Sequence, residues 1–241
     1  MKGFGDQTKS KKKLNHFRTK QYHQEIMHEA VKLHSAGNFS EAKKYYYQLI
    51  QDGVEDSNVF NNYGIILVNI GELKEAELSI RKAIELNPKD PSAYANLGGI
   101  LINLGKLKEA ELSIRKAIEL NPNYADAHYI LGNLLKDLDN LEEAELSISK
   151  AIELNPKDSS AHTKLGGIFL KLGKFKEAEL SIRKAIGFNH HNADAHYILG
   201  NILKDQGKLE EAEISTRKAI KLNPNLALGY QSLSLLLYAR Y

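Results

Sequence analysis

The sequence predicts an all-α protein built as an array of 34-residue helix-turn-helix repeats. The first observation behind this is an Asn-Pro dipeptide whose prolines, Pro88, Pro122 and Pro156, are 34 residues apart. Pro224 follows after a further 68 residues, and His190 lies at the midpoint of that interval. The second is that small residues recur at fixed places within each interval. The third is the i, i+3, i+4, i+7 spacing of apolar residues that is typical of amphipathic helices, as in Leu73, Ala76, Ile80, Ala83 and Ile84.

Extending this register in both directions divides the chain into a tail, six repeats and a half repeat. The repeats span 23–56, 57–90, 91–124, 125–158, 159–192 and 193–226. Residues 1–22 are then a basic, flexible tail, and 227–241 form the helix of a C-terminal half repeat. Because a single helix pair cannot bury its apolar face, we expect neighbouring repeats to stack and cover it.

Small residues mark the places where the two helices of a repeat approach each other. Position 8 of the repeat is occupied by Ala30, Gly64, Gly98, Gly132, Gly166 and Gly200, and position 20 by Ala42, Ala76, Ala110, Ala144, Ala178 and Ala212. A larger side chain there would hold two antiparallel backbones apart. We therefore expect Ala144→Leu to disrupt the array, and position 23, for example Ser147, to tolerate the same change.

Glycine and proline mark the helix ends. Glycine near position 15 is expected to end the first helix because it can adopt the left-handed conformation; these residues are Gly37, Gly71, Gly105, Gly173 and Gly207. Asp139 takes this place in the fourth repeat, and we expect it to keep the turn, since aspartate visits that conformation at modest cost. Proline at position 32 ends the second helix, because it disfavours helical geometry in the preceding residue.

The composition indicates a folded protein of a reducing compartment. Hydrophobic residues make up 42% of the chain and charged residues 26%, which is ordinary for a folded protein. The absence of cysteine excludes disulfides, thiolate chemistry and cysteine-ligated zinc. The apolar stretches are far shorter than the roughly 20 residues that cross a bilayer, and the N-terminal lysines precede no apolar signal segment. We therefore expect a cytoplasmic protein.

The segment from Ala127 to Pro156, AHYILGNLLKDLDNLEEAELSISKAIELNP, resembles the tetratricopeptide repeat motif position by position. The resemblance covers residues 23–241. It implies a right-handed superhelical solenoid of stacked antiparallel helix pairs, in which the first helices line a concave groove that binds peptides or partner proteins. The leading functional hypothesis is accordingly a non-catalytic protein-interaction scaffold.

The same resemblance indicates which residues would line the groove, at positions 2, 5, 6, 9, 12 and 13 of the repeat. The candidate groove residues are Asn62, Asn96, Asp126, Tyr129, Asn133, Lys136, Lys164, Asp194, Tyr197, Asn201 and Lys204. Asparagine offers a donor and an acceptor to a peptide backbone, and tyrosine offers flat contact area. The lysine and asparagine set with which some members of the family clamp the C-terminal carboxylate of heat-shock chaperones does not occur in three consecutive repeats.

Two alternatives to the scaffold hypothesis remain open. The LGN and LKD signatures resemble repeats that precede the catalytic domain of protein O-linked N-acetylglucosamine transferases, so the chain would be a recruiting subunit of a separately encoded glycosyl- or sulfotransferase system. The second alternative is polyanion binding by the tail, because residues 1–22 hold seven basic side chains against Asp6 alone. Nucleic acid is the less expected partner, since such tails are often merely solubilising.

No residue set indicates catalysis, a small-molecule substrate or a cofactor. His128, His162 and His196 recur at position 4 of consecutive repeats. The family usually packs a large aromatic side chain there, so we interpret these histidines as packing residues and not as a metal site. The serines at position 23 have no matching base, so nucleophilic catalysis has no candidate.

The C-terminal half repeat predicts an apolar patch. Leu235 and Tyr238 occupy groove positions 9 and 12, whereas Leu233 and Leu237 are expected to pack back on the sixth repeat. Exposed apolar patches often mark interaction surfaces. We therefore expect Leu235 and Tyr238 to mediate self-association or to dock a partner.

Overall fold

The computed structural model describes the backbone of residues 4–239 and the side chains of residues 19–239. In this part of the chain all regular structure is helical, which confirms the predicted all-α class. The thirteen helices of the described residues are α1 (Phe4–Ser35), α2 (Phe39–Gln51), α3 (Ser57–Asn69), α4 (Leu73–Leu86), α5 (Pro91–Asn103), α6 (Leu107–Leu120), α7 (Ala125–Asp137), α8 (Leu141–Leu154), α9 (Ser159–Lys171), α10 (Phe175–Phe188), α11 (Ala193–Asp205), α12 (Leu209–Leu222) and α13 (Ala227–Ala239).

The helices fall into two compact units. Met1–Leu120 contains α1 to α6, and Asn121–Tyr241 contains α7 to α13. Within each unit, the two helices of a repeat pack on each other, and the second helix also packs on the first helix of the next repeat in that unit. Helix α1 begins at Phe4, inside the segment assigned to the tail. The flexibility of residues 1–22 stays a prediction, and the basic side chains of residues 1–18 lie outside the described set.

The two helices of a repeat run antiparallel. In the second repeat, the Ser79 hydroxyl of α4 donates to the carbonyl oxygen of Phe60 near the start of α3, at 2.7 Å. Gly64, one turn later in α3, lies against Ala76, which comes one turn earlier in α4 than Ile80, and against Ile80 itself. Contacts that advance along one helix and retreat along the other define an antiparallel pair.

The close approach of these helices depends on the small residues at positions 8 and 20. A Cβ atom added to Gly132 would lie 2.5 Å from Cγ1 of Ile148. That isoleucine and Ala144, at position 20, are both fully buried. The core of the second to fifth repeats is therefore a contact between glycine, alanine and isoleucine that leaves no room for one extra methyl group.

The predicted turn between the helices is confirmed. Gly71 has a φ of +84°, and the next N–H, that of Glu72, donates to the carbonyl of Leu67 at 2.8 Å, as in a Schellman cap. Asp139 keeps the same turn with a φ of +61°, and Asn140 N–H donates to Leu135 at 2.9 Å. The aspartate thus replaces glycine without a change of architecture.

The expectation that position 23 tolerates a large side chain is not supported by its surroundings. Ser147 is only 7% exposed, and the equivalent Ser79, Ser181 and Ser215 are also buried. The second helix therefore buries three neighbouring positions, 20, 23 and 24, and not only the alanine and isoleucine. The periodicity argument missed this because serine reads as a surface residue.

Ion pairs join successive repeats within each unit at positions 21 and 16. In the first unit, Lys106 Nζ lies 2.7 Å from a carboxylate oxygen of Glu77. In the second unit, Lys174 and Glu145 form the same pair at 2.5 Å. The second helix therefore presents a glutamate to the lysine that precedes the next second helix, which adds a polar contact between adjacent repeats.

Candidate peptide-binding groove

The candidate groove lies on the first helices, on the side that does not pack against the second helices. In α7 the buried residues are Ala127, Leu131, Gly132, Leu134 and Leu135. Positions 2, 5, 6, 9, 12 and 13 of α7 are not among them and form an outer surface, which we call the first-helix face; in α3, α5 and α9, position 5 is buried. In the unit Asn121–Tyr241, α7, α9, α11 and α13 succeed one another in contact, so their first-helix faces adjoin.

Within the unit Met1–Leu120, one of the two predicted groove residues is already engaged in a hydrogen bond. The Asn96 side-chain amide donates to Oδ1 of Asn61 at 3.0 Å, across α3 and α5. Asn62 is half-buried on α3, beside the phenol of Tyr46, whose pKa is raised mainly by burial. Asn96 therefore connects two neighbouring first helices and has part of its hydrogen-bonding capacity in use.

In the second unit, Asn133 and Asn201 occupy the same repeat position but differ in their partners. Oδ1 of Asn201 accepts a hydrogen bond from the Ser232 hydroxyl at 3.2 Å, on the next first helix. Oδ1 of Asn133 is buried and has no hydrogen-bond partner. The residue that corresponds to Ser232 in the repeat after Asn133 is Lys164, whose ammonium is a donor but forms no hydrogen bond with this oxygen in the structure. Buried acceptors without a partner are rare, so Asn133 is the exception to be explained.

Gly167 lies on α9 between the two asparagine-bearing helices, at the same repeat position 9. A Cβ atom added there would meet no heavy atom within 4 Å. The first-helix face is therefore open at α9, where a ligand backbone can approach the helix directly. Gly167 is not among the residues predicted from the sequence, although its contrast with Asn133 and Asn201 at the same repeat position is a signal that points to it.

The charged residues of the face are mixed in sign and largely self-paired. Lys136 lies 3.0 Å from Asp137, and Lys204 lies 3.7 Å from Asp205. Lys164 is half-buried, and no described carboxylate lies within ion-pair distance of it. The remaining predicted residues flank these positions: Asp126 and Asp194 are exposed at the helix starts, and Tyr129 and Tyr197 are half-buried. The face is therefore polar without a dominant charge.

The three histidines at position 4 bind the backbone of the preceding inter-repeat turn. Their Nε2–H groups donate to the carbonyl oxygens of Pro122, Pro156 and His190, at 2.9, 3.0 and 3.1 Å respectively. His162 also packs beside Phe188, with ring centroids 5.4 Å apart. Burial lowers the pKa of His196, and its hydrogen bond to the carbonyl opposes that effect. The histidines thus connect each first helix to the turn that precedes it.

The C-terminal helix exposes the predicted apolar residues. Leu235 is 54% and Tyr238 87% exposed, whereas Leu236 is buried. Leu233 and Leu237, which were expected to pack back on the sixth repeat, are half-buried. The helix therefore buries Leu236, one residue before Leu237, and buries the predicted pair Leu233 and Leu237 only in part. The interaction role of Leu235 and Tyr238 stays a prediction.

In residues 19–239, no three histidine or carboxylate side chains lie close enough together to hold a metal ion. None of the helices described here combines the length and apolar character that a membrane span requires.

Comparison with known proteins gives a consistent result across most of the chain. Family models described as tetratricopeptide repeat match residues 57–90, 91–124, 125–158, 159–190 and 193–226. No curated protein sequence gives a significant match.

Solved structures give further matches. YrrB, described as a TPR protein with an unusual peptide-binding site, is 26% identical with a TM-score of 0.60, over 78% of this chain and 96% of its own. PilF of Pseudomonas aeruginosa is 17% identical with a TM-score of 0.79, over 90% and 98%. MamA of Desulfovibrio magneticus is 20% identical with a TM-score of 0.62, over 71% and 97%. At these identities, PilF and MamA support the fold alone.

Proposed function

Since the chain belongs to the tetratricopeptide repeat family, whose repeats are generally non-catalytic protein-interaction scaffolds, we propose that it binds an extended peptide segment of a partner protein on the first-helix face of α7, α9 and α11. The observation that carries this proposal is the pairing of an unsatisfied acceptor, Oδ1 of Asn133, with an open neighbouring helix surface at Gly167.

Asn133 supplies the first contact. An acceptor without a partner lacks a hydrogen bond whose absence costs about 1–3 kcal/mol when the group is buried. Because the rest of the residue is half-buried and nothing holds this oxygen in place, a rotation of the amide turns it toward a ligand. A peptide N–H then satisfies the oxygen while the amide nitrogen donates to a peptide carbonyl.

Gly167 and Lys164 supply the second contact, on α9. The missing side chain at Gly167 lets an extended backbone lie against the helix, and the unpaired ammonium of Lys164 donates to a carbonyl oxygen of that backbone. Asn201 on α11 continues the row, with Tyr129 and Tyr197 offering flat surface on either side. The YrrB likeness favours peptide capture in general, since that protein is described as having a peptide-binding site.

Panning a phage-displayed library of random linear peptides against the full chain tests the proposal. The peptides that emerge are titrated against Gly167→Phe, which fills the open surface, and Asn133→Ala, which removes the unsatisfied acceptor. We expect at least tenfold weaker binding for both variants. Gly99→Phe is the matched control, because Gly99 occupies the same repeat position in the other unit and is equally open.

Circular dichroism establishes that each variant folds before binding is compared. Peptides that bind Gly167→Phe and Asn133→Ala as well as they bind the unmodified chain would contradict the proposal. Equal loss of binding in Gly99→Phe would also contradict it, because the site would then not be the face of α7, α9 and α11.

A further inference from the structure

A cleft of about 470 Å³ opens between α10, α11 and α12, on the side of the second helices and away from the first-helix face. Its walls include Ile186 of α10, Leu199 of α11 and Ile214 of α12. Leu199 is buried at the bottom, whereas Ile214 is 70% exposed at the rim. The cleft therefore offers an apolar interior that is open to solvent and large enough for an aliphatic side chain.

The cleft lies where the fifth repeat departs from the second, third and fourth. At position 29 the second, third and fourth repeats carry Glu85, Glu119 and Glu153, whereas the fifth carries Gly187. A Cβ atom added to Gly187 would meet nothing within 4 Å. Gly187 is the penultimate residue of α10 and does not have the positive φ of a C-capping glycine, so a capping role does not explain it.

The loss of this glutamate also leaves lysines without their usual partners. At position 26, Lys82, Lys116 and Lys150 form ion pairs with the glutamate three residues later, at 3.0, 2.7 and 2.8 Å. Lys184 faces Gly187 at that spacing, and Lys218 faces Lys221. Among the described residues, neither Lys184 nor Lys218 has a carboxylate within ion-pair distance.

Polar groups with unused donors converge on the cleft. Lys218 and Ser215 line it on α12, and the Ser215 hydroxyl has no hydrogen bond to a described residue. Arg183 lines it on α10; its Nε and Nη2 both lie close to Glu179, at 2.8 Å, so Nη1 remains available. His196 on α11 uses Nε2 on the turn carbonyl of His190. The donors therefore outnumber the acceptors around an apolar interior.

We infer that this cleft binds an acidic peptide segment of a partner protein, with an aliphatic side chain inserted between Ile186 and Ile214 and adjacent carboxylates on Lys218, Ser215 and Arg183. The charge of the helix surface argues for a peptide with several carboxylates. The C-terminal halves SIRKAIGF of α10 and STRKAIKL of α12 carry only basic charged residues, whereas the corresponding half of α4, SIRKAIEL, includes a glutamate. Positive surface of this kind attracts acidic partners and speeds their association.

Fluorescence anisotropy of a fluorescein-labelled peptide, Glu-Asp-Leu-Glu-Asp, titrated with the full chain tests this inference. Gly187→Glu restores the residue that three other repeats carry, so the variant is expected to fold. We expect it to weaken binding at least fivefold. Gly187→Ala is the matched control: it makes the same backbone change without charge and should bind as the unmodified chain does.

Two control peptides separate the parts of the inference. Replacing the leucine with serine, or all four acids with their amides, should each abolish binding, because the first removes the aliphatic anchor and the second the charges. The inference would be overturned if the peptide bound Gly187→Glu as tightly as the unmodified chain. It would also be overturned if Gly187→Ala lost as much binding as Gly187→Glu. Retained binding of the amide peptide would overturn it as well.

Other anionic occupants are outcomes of the same design. Vesicles containing phosphatidylserine and a single-stranded oligonucleotide are titrated in parallel. If either binds in a manner that depends on Gly187 while the acidic peptide does not bind, the peptide assignment is wrong. Gly167→Phe should leave binding of the acidic peptide unchanged, which keeps this cleft distinguishable from the first-helix face.

Discussion

The second helices of the second and fifth repeats, Leu73–Leu86 and Phe175–Phe188, differ at only three of their fourteen positions. In both, the alanines and the central isoleucine are fully buried, and the arginine pairs with the glutamate one turn earlier, at 2.9 and 2.8 Å. The residues that differ include a glutamate that pairs with lysine in one helix and a glycine that lines a cleft in the other. The shared residues therefore maintain the fold, and the divergent ones change the surface.

The largest expected effect comes from comparing two adjacent glycines of the fifth repeat. Gly166→Ala places a methyl group 2.6 Å from the side chain of the fully buried Ile182, so we expect it to destabilise the protein by about 1–3 kcal/mol. Gly167→Ala meets open space and should instead add about 0.5–1 kcal/mol through its helix propensity. Urea unfolding followed by circular dichroism measures both, and effects of the same sign would break the distinction between shared and divergent positions.

A smaller effect is expected for two buried threonines that differ in their hydrogen bonds. The Thr163 hydroxyl donates to the carbonyl of Ser159 at 2.8 Å and accepts from the Asn192 amide at 3.0 Å. The Thr216 hydroxyl is buried without a partner, where four other repeats carry isoleucine. We expect Thr163→Val to cost about 1–2 kcal/mol and Thr216→Val to be neutral or stabilising by up to about 1 kcal/mol.

Thermal unfolding of the two threonine variants, beside the unmodified chain, measures this difference. A higher melting temperature for Thr163→Val than for Thr216→Val would show that hydrogen bonding does not distinguish the two sites.

The smallest predicted effect concerns the pH dependence of the ion pair between repeats. Lys106, and secondarily Arg81, lower the pKa of Glu77. Because the folded pKa lies below the unfolded value of about 4.3, the stabilisation is complete above that value and is lost as the pH falls through the folded pKa. We expect Glu77→Gln to lose about 0.5–1 kcal/mol at pH 7 and less at pH 3.

Glu85→Gln is the matched control for this pH dependence, since Glu85 pairs only on an exposed surface with Lys82. Urea unfolding at the two pH values provides the measurement. An equal difference between Glu77→Gln and the unmodified chain at both pH values would refute the assigned role of the carboxylate.

Much of the fold follows from local sequence rules. Glycine, or Asp139 in its place, ends the first helices with positive φ angles as predicted, because that conformation is encoded by single residues. The 34-residue phase fixes which residues face each other within a repeat. The burial of Ser147 was not predicted, because serine carries no hydrophobic signal and its position is enclosed only once two helices pack.

The candidate sites were harder to predict from the sequence than the fold was. The family resemblance indicated the first-helix positions, but it could not separate Asn133, whose oxygen lacks a partner, from Asn201, whose oxygen accepts from Ser232. That difference depends on a contact between two helices, made by residues that are 31 apart in sequence. The cleft at Gly187 was not predicted for a similar reason. The sequence shows that glycine replaces glutamate there, but not that residues of α11 and α12 lie beside it.

The most direct test of the account uses the absence of cysteine from the chain, which lets a single cysteine carry a fluorophore. Gly167→Cys and Gly187→Cys, each labelled with an environment-sensitive dye, report separately on the first-helix face and on the second-helix cleft. We predict that a library-selected peptide shifts the emission at residue 167 and leaves residue 187 unchanged. A shift at residue 187 alone, or at neither residue while the peptide is bound, would contradict the claim that the first-helix face is the peptide-binding site.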